Sequence, residues 1–144
     1  DARAGTPAAL EPTESRSEMR RRALVIDDNQ DSADTLAMML QLLGHHAHCI
    51  YDPHKATAAV ASFLPDMVFL DIGMPGLNGR DVARLLRAAP GGNHLVLVAV
   101  TGWGQPEERQ RTSEAGFDHH LVKPVDMSVI RRICTAPPRR NQGR

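Results

Sequence analysis

Five polar residues stand at the carboxyl ends of short apolar runs, where their side chains could meet and do chemistry together. They are Asp27, Asp28, Asp71, Thr101 and Lys123. If the runs are parallel strands of one sheet, their carboxyl ends share one edge and these side chains converge there. Carboxylates ~4 Å apart repel by ~4 kcal/mol at an effective dielectric of ~20. One of the three carboxyl groups must therefore be protonated, or a cation must lie between them.

These residue types favour a magnesium site that handles phosphoryl groups. Oxygen ligands from few dedicated protein groups are typical of Mg²⁺. Mg²⁺ beside the ammonium of Lys123 and the hydroxyl of Thr101 would form a pocket for phosphoryl oxygens. A carboxylate in such a pocket can act as the nucleophile. Asp71 is the natural choice because it lies beside the Gly/Pro-rich loop 73–79, where a donor could approach, and the Asp27–Asp28 pair would then hold the metal.

Strand and helix signals alternate along the chain and predict an α/β fold. Strands are expected at 23–26, 46–51, 67–70, 95–100 and 119–122. The first, third and fourth are apolar on both faces of the pleat and should be central, whereas the other two are more polar and should be edges. The alternation implies a doubly wound, five-stranded parallel sheet of order 2-1-3-4-5, a flavodoxin-like (βα)5 arrangement.

The helical segments between these strands show recognisable inner faces and end signals. Apolar positions recur at Leu36, Ala37, Leu40 and Leu43 before Gly44, at Ala56, Ala59, Val60 and Phe63 after Asp52-Pro53, at Val82, Leu85, Leu86 and Ala89, and at Ile130, Ile133 and Cys134 after Asp126. Asp52 and Asp126 are expected N-caps, and Gly44 a helix stop. The segment 107–115 has almost no apolar stripe, so we expect a weakly packed helix that can move.

Composition and length limit the domain organisation and the partners. The 144 residues are 42% hydrophobic and 24% charged, which suits one globular domain. Residues 1–20 are interpreted as a linker or disordered arm, 21–136 as the compact domain and 137–144 as a basic tail. A net charge of zero and 3% aromatic residues argue against direct nucleic-acid binding. The longest apolar run, Leu95–Val100, is far shorter than the ~20 residues that span a bilayer, so the domain itself is not expected to contact a membrane.

Four motifs together resemble the receiver domain of bacterial two-component response regulators. They are Leu24-Val25-Ile26-Asp27-Asp28-Asn29, Phe69-Leu70-Asp71-Ile72-Gly73-Met74-Pro75-Gly76, Val100-Thr101-Gly102 and Leu121-Val122-Lys123-Pro124. Each motif is weak alone, but all four in this order and spacing are highly specific. The resemblance covers about residues 21–136 and implies the same five-stranded order, 2-1-3-4-5.

The resemblance implies a role for each site residue. Asp71 resembles the phosphoacceptor, and Asp28 and Asp71 would ligate Mg²⁺ (or Mn²⁺) directly. The Gly73 carbonyl would be a third protein ligand, and Asp27 would act through a metal-bound water. Thr101 resembles the switch hydroxyl that moves to the phosphoryl group. Lys123 would neutralise a phosphoryl oxygen, and its bond to Pro124 resembles the family's cis peptide.

The sequence departs from the family pattern at several positions near this site. His120 stands where an aromatic switch residue is usual, three residues before the lysine, and Asn78 stands where Asp is common. Two residues after Asp71 comes Gly73, which has no side chain to orient a water molecule, and two after Thr101 comes the bulky Trp103. We therefore expect the phosphorylated domain to lose its phosphoryl group slowly.

The leading functional hypothesis is a phosphoacceptor switch that takes phosphoryl groups from a histidine kinase or a histidine phosphotransfer domain. It is not a turnover enzyme in the ordinary sense. The motifs look most like a receiver attached to a hybrid sensor histidine kinase, and the linker-like start without Met fits a C-terminal receiver of a membrane-anchored parent, located in the cytoplasm. A single-domain regulator is the alternative. Weak homodimerisation through the family's output face, which includes helix 107–115, is also expected.

Two hypotheses from other classes remain beside it. A Mg²⁺-dependent phosphohydrolase with an aspartyl nucleophile, as in the haloacid-dehalogenase family, usually needs a second Asp two residues after the first, and this chain has Gly73 there. A receiver-like interaction module that is never phosphorylated would not need the complete set of acidic, hydroxyl and ammonium groups. Eight trailing residues are too few for a helix-turn-helix.

Overall fold

A computed structural model of the chain describes residues 20–73, 78–102 and 114–136. The described strands are β1 (Arg22–Ile26), β2 (His46–Ile50), β3 (Met67–Asp71), β4 (Val96–Thr101) and β5 (His119–Val122). The described helices are α1 (Gln30–Leu42), α2 (Ala56–Phe63), α3 (Gly79–Ala88) and α4 (Met127–Thr135). Short 3₁₀ turns at Pro53–Lys55 and Gly92–His94 precede α2 and β4.

The strands form one parallel sheet in the order β2-β1-β3-β4-β5, which confirms the predicted topology. Residues Ala23–Ile26 of β1 pair with β2 on one side and with β3 on the other. All five residues of β3 are buried, as expected of a central strand covered on both faces. The winding reverses between β1 and β3, so the carboxyl ends of these two strands flank the point where such sheets bind ligands.

Two apolar cores cover the faces of the sheet. On one face, α1 and α4 pack against Val25, Phe69 and Val100, and on the other, α2 and α3 pack against Leu24, Leu70 and Leu97. Burying each large side chain of this kind contributes about 1.5–3 kcal/mol. The two layers therefore hold the sheet in place, and the polar groups lie at the carboxyl ends of its strands.

Helix boundaries follow the capping residues. Asn29, Asn78 and Asp126 each accept a hydrogen bond from a backbone amide in the first turn of α1, α3 and α4, and Asp52 does the same for the turn Pro53–Lys55. The predicted Asp52 and Asp126 caps are thus confirmed. The segment after Asp52 begins as a 3₁₀ turn, however, and its α-helix starts at Ala56.

Three other predictions for the helices concern Gly44, Leu85 and the segment 107–115. Gly44 follows the end of α1 with φ +96°, a conformation that glycine adopts without steric cost, as predicted for a helix stop. The prediction that Leu85 faces the core is wrong, because its side chain is 62% exposed and Ala83 is buried instead. The predicted helix 107–115 lies, apart from its last two residues, outside the described residues.

The amino end of the sheet is held by partly buried charges that are paired with one another. The Arg87 guanidinium makes a 2.7 Å ion pair with Asp118 and donates to the carbonyls of Gly92, Leu95 and Gly116. Asp118 also accepts a 2.8 Å hydrogen bond from the Leu97 amide. These contacts join α3, β4 and the approach to β5 on the side opposite the acidic residues.

The start of β1 and the end of α4 also meet at the amino end of the sheet. The Arg21 guanidinium donates to the carbonyls of Cys134 and Ala136, which satisfies the end of α4. The Arg21 amide donates a 2.9 Å hydrogen bond to Nδ1 of His45. Within ranges 20–73, 78–102 and 114–136, no helix combines the length and apolar character needed to cross a bilayer.

Candidate functional site

The parallel sheet brings the predicted polar residues to one edge. Asp27 directly follows β1, Asp71 and Thr101 are the last residues of β3 and β4, and Lys123 directly follows β5. Asp27, Asp71 and Thr101 are 4%, 8% and 3% exposed, whereas Asp28 faces solvent. Polar residues this deeply buried need partners, because burial removes the water that would solvate them.

Lys123 lies between two of the buried carboxylates. Its Nζ is 3.2 Å from Oδ2 of Asp27 and 3.4 Å from Oδ2 of Asp71, although the three residues are separated by up to 96 positions in the chain. The lysine side chain keeps 31% of its exposure, so its charged end reaches the site from the solvent side. One ammonium therefore bridges the ends of β1, β3 and β5.

Backbone amides hold the other oxygen of each buried carboxylate. Oδ1 of Asp27 accepts a 2.9 Å hydrogen bond from the Asn29 amide, and Oδ1 of Asp71 accepts a 2.8 Å hydrogen bond from the Gly73 amide. In each case the donor lies two residues further along the chain. This short-range geometry fixes both carboxylates, with one oxygen toward the backbone and the other toward Lys123.

The carboxylates are close enough to share a cation. Asp27, Asp28 and Asp71 each offer one oxygen atom, and these three atoms lie within 4.8 Å of one another. Three carboxylates against one nearby ammonium leave an excess of negative charge when all are ionised. All-oxygen donors of this kind suit a hard divalent cation such as Mg²⁺. The residues present therefore fit a divalent metal ion.

The electrostatics of the site show the strain of this arrangement. Burial, and then the neighbouring Asp71 carboxylate, raise the pKa of Asp27 above its ordinary value, although the Asn29 amide and the Lys123 charge act in the opposite direction. For Lys123, burial disfavours the charged form, but the charges of Asp71 and Asp27 outweigh it and raise the pKa of the ammonium. The lysine thus stays protonated at neutral pH and stabilises its carboxylate partners.

A cavity of about 330 Å³ opens beside these residues, between α1 and the segment that follows β5. Its polar wall includes Asp27, Asp71 and Lys123, and its apolar wall includes Met39 and Val125. The buried carboxylates are therefore accessible from one side. A pocket at these residues was expected, but its apolar wall could not be predicted because it depends on how α1 packs across the sheet.

The remaining predicted residues take up less decisive positions. Gly73 lies two residues after Asp71 and is exposed, and its amide donates a hydrogen bond to the Asp71 carboxylate. His120 pairs with Ala99 in the β4–β5 ladder, two residues before the Thr101–Val122 pair. Since alternate residues share a face of a sheet, His120 is half-buried on the same face as Thr101. The Lys123–Pro124 peptide is cis, as expected. Trp103 lies outside the described residues.

The sequence and the fold of this chain are similar to those of known proteins. The family model for the response regulator receiver domain matches residues 23–135. The DNA-binding response regulator MtrA of Mycolicibacterium smegmatis is 36% identical over 124 residues, which are 86% of this chain and 53% of MtrA. The virulence sensor protein BvgS of Bordetella bronchiseptica is 33% identical over 130 residues, which are 87% of this chain but 10% of BvgS.

Solved structures agree with the topology. The chemotaxis protein CheY4 of Vibrio cholerae superposes with a TM-score of 0.74 at 21% identity, over 79% of this chain and 95% of CheY4. This similarity shows a shared fold. This chain spans about half the length of MtrA. With five parallel strands in this order and a family match across nearly all the described residues, the chain belongs to the response regulator receiver domain family.

Proposed function

We propose that Asp71 is the phosphoacceptor and that it takes its phosphoryl group from a phosphohistidine of a histidine kinase or phosphotransfer domain. The observation that carries this proposal is the position of Asp71: buried at the end of the central β3, bonded by the Gly73 amide and 3.4 Å from Lys123. An Asp71 oxygen would attack phosphorus while the P–N bond breaks. The electron pair of that bond returns to the imidazole nitrogen, and the product is an aspartyl phosphate.

The acidic residues would hold the metal ion that this chemistry needs. Asp28 and Asp71 would bind Mg²⁺ directly, with Mn²⁺ as a substitute, together with the Gly73 carbonyl, and Asp27 would act through a bound water. When bound, the ion supplies positive charge for the oxygens of the transferred group. This assignment is supported by the short distances between one oxygen each of Asp27, Asp28 and Asp71, which lie within 4.8 Å of one another.

Lys123 and Thr101 would bind the oxygens of the phosphoryl group once it is on Asp71. The Lys123 ammonium, already 3.4 Å from Asp71, would pair with a phosphoryl oxygen. The buried Thr101 hydroxyl, at the end of the neighbouring strand, would donate to another oxygen. Since His120 occupies the same face of the sheet two residues away along the ladder, we assign it the role of the residue that changes position with Thr101.

The parent protein is proposed to be a hybrid sensor histidine kinase. The motifs around Asp71 and Lys123 support this, as does the similarity to one tenth of the sensor protein BvgS. In that arrangement residues 1–20 would be a linker, 21–136 the receiver and 137–144 a tail. The domain would work in the cytoplasm beneath a membrane-anchored parent, without direct contact with nucleic acid, and would dimerise weakly through its output face.

A stand-alone regulator is the second candidate for the parent. The similarity to the DNA-binding response regulator MtrA favours a regulator over the phosphohydrolase hypothesis. The phosphohydrolase hypothesis has no supporting residue two positions after Asp71, where Gly73 stands. Steady release of phosphate from a monoester would be needed to revive it.

The proposal is tested by labelling the protein with acetyl phosphate and MgCl₂ and locating the modified residue by mass spectrometry. We expect one phosphoryl group on Asp71, none in EDTA and none in the Asp71→Asn variant. Asp81→Asn is the matched control, since Asp81 is an exposed carboxylate in the first turn of α3. Labelling of Asp71→Asn at the wild-type rate would show that another residue is the acceptor.

A further inference from the structure

Gly79, the first residue of α3, lies against the backbone that joins Asp71 to Gly73. A Cβ atom at Gly79 would be 2.8 Å from Cγ2 of Ile72, 2.9 Å from its Cα and 3.0 Å from its Cβ. Real Cβ atoms essentially never make contacts below 3.0 Å. The missing side chain therefore lets α3 begin in direct contact with Ile72.

Ile72 is tied to the site on both sides. Its amide donates a 2.9 Å hydrogen bond to the Val100 carbonyl, which extends the pairing of β3 with β4 one residue beyond Asp71. Its side chain packs against the apolar core that lies under α2 and α3. The next residue, Gly73, donates its amide to Oδ1 of Asp71. A displacement of Ile72 would therefore move the Gly73 amide relative to the Asp71 carboxylate.

The start of α3 is itself fixed in place. Oδ1 of Asn78 accepts a 2.9 Å hydrogen bond from the Arg80 amide and caps the helix, and Val82 and Ala83 are buried in the core one turn later. Gly79 is buried between this anchored turn and Ile72. With a Cβ at Gly79, the start of α3 and Ile72 could not both keep their positions.

From this contact we infer that Gly79 is a positioning residue for the phosphoacceptor. By allowing α3 to rest on Ile72, it sets the place of the Gly73 backbone beside the Asp71 carboxylate. This inference rests on the proposed function of Asp71. Restoring an ordinary contact of about 3.4 Å would require a displacement of roughly 0.5 Å, which is the scale at which catalytic geometry is lost.

The test compares Gly79→Ala with wild type in the 144-residue protein. We expect the rate of labelling of Asp71 by acetyl phosphate with MgCl₂ to fall about tenfold, and Mg²⁺ binding measured by calorimetry to weaken. Alanine is the better helix former, so loss of helix stability would not account for the result.

The outcomes separate this inference from the proposed function. If wild type is not labelled at Asp71, the proposed function fails. If wild type is labelled and Gly79→Ala is labelled equally fast, the positioning role of Gly79 is overturned. Should Gly79→Ala lose the wild-type circular dichroism spectrum, Ile72→Ala is measured instead. Removing the side chain on which α3 rests should slow labelling severalfold, and an unchanged rate would overturn the inference.

Discussion

Replacing Lys123 by methionine should destabilise the metal-free protein and make its stability more dependent on Mg²⁺. The ammonium lies 3.2 Å from Asp27 and 3.4 Å from Asp71. At these distances each pair attracts by about 5 kcal/mol at an effective dielectric of ~20. Most of this attraction offsets the cost of burying the charges, so its loss leaves two buried carboxylates without a cation.

The expected size of the effect follows from the burial of each group. Removing one partner of a buried ion pair costs about 3–5 kcal/mol. The Lys123 side chain keeps 31% of its exposure, so water already screens part of its charge. We therefore expect Lys123→Met to lower the free energy of unfolding by about 2–4 kcal/mol at pH 7 in EDTA. With saturating MgCl₂ the difference from wild type should shrink by about 1 kcal/mol or more, because the metal replaces the missing positive charge.

The assay is urea unfolding followed by circular dichroism, in EDTA and in MgCl₂. Arg84→Met is the matched control, because Arg84 also pairs with an aspartate, Asp81, but both side chains are more than half exposed. We expect that control to change stability by less than about 0.5 kcal/mol, with no dependence on Mg²⁺. If Lys123→Met is as stable as wild type in EDTA, or if Mg²⁺ stabilises both proteins equally, the charge balance described for this site is wrong.

Three further changes probe other parts of the structure. Gly73→Asn places a side chain whose Cβ starts 3.5 Å from Oδ1 of Asp71, and it should shorten the phosphoprotein lifetime about fivefold by orienting a water; an unchanged decay after donor removal would contradict this. Arg87→Met should cost about 2–4 kcal/mol in urea unfolding, because it leaves a partly buried carboxylate and several carbonyls without their donor. A loss below about 1 kcal/mol would contradict this expectation. Burial and the Arg21 charge lower the pKa of His45, so the contribution of this histidine to stability is complete above about pH 6.5 and is lost as the pH falls below that value. The Asn side chain of His45→Asn can still accept the hydrogen bond from the Arg21 amide but does not titrate, so the variant should lose less stability than wild type over this pH range. Identical curves of unfolding free energy against pH would rule the contribution out.

The topology and the acidic edge could be predicted because they depend on periodicity and chain order alone. Each apolar run ends at a polar residue, and parallel strands bring such ends together whatever the loops do. Asp27, Asp71 and Lys123 accordingly meet as expected, and the central and edge strands fall where their apolar character indicated. The predicted strands ended one residue early, at 70 and 100, because Asp71 and Thr101 also pair with the neighbouring strand.

Features that depend on the exact approach of two elements could not be predicted. Leu85 fits the helical period of an inner face, yet the rotation of α3 on the sheet leaves it 62% exposed. An arginine in a helix is expected at the surface, but the Arg87 guanidinium lies against the backbone and donates to the carbonyls of Gly92, Leu95 and Gly116. The contact between Gly79 and Ile72 likewise appears only when both elements are placed, since no periodicity records how close two backbones come.

The two ends of the sheet treat charge in opposite ways, and this contrast supports the assignment of function to one of them. At the amino end, Arg87 and Asp118 pair one to one and satisfy the surrounding backbone. At the carboxyl end, Asp27 and Asp71 share one ammonium, and burial raises the pKa of Asp27, which disfavours its ionised form. A protein selected for stability alone would pair or remove such charges. Their retention at the edge where a parallel sheet binds ligands is expected when a divalent cation and a phosphoryl group complete the site.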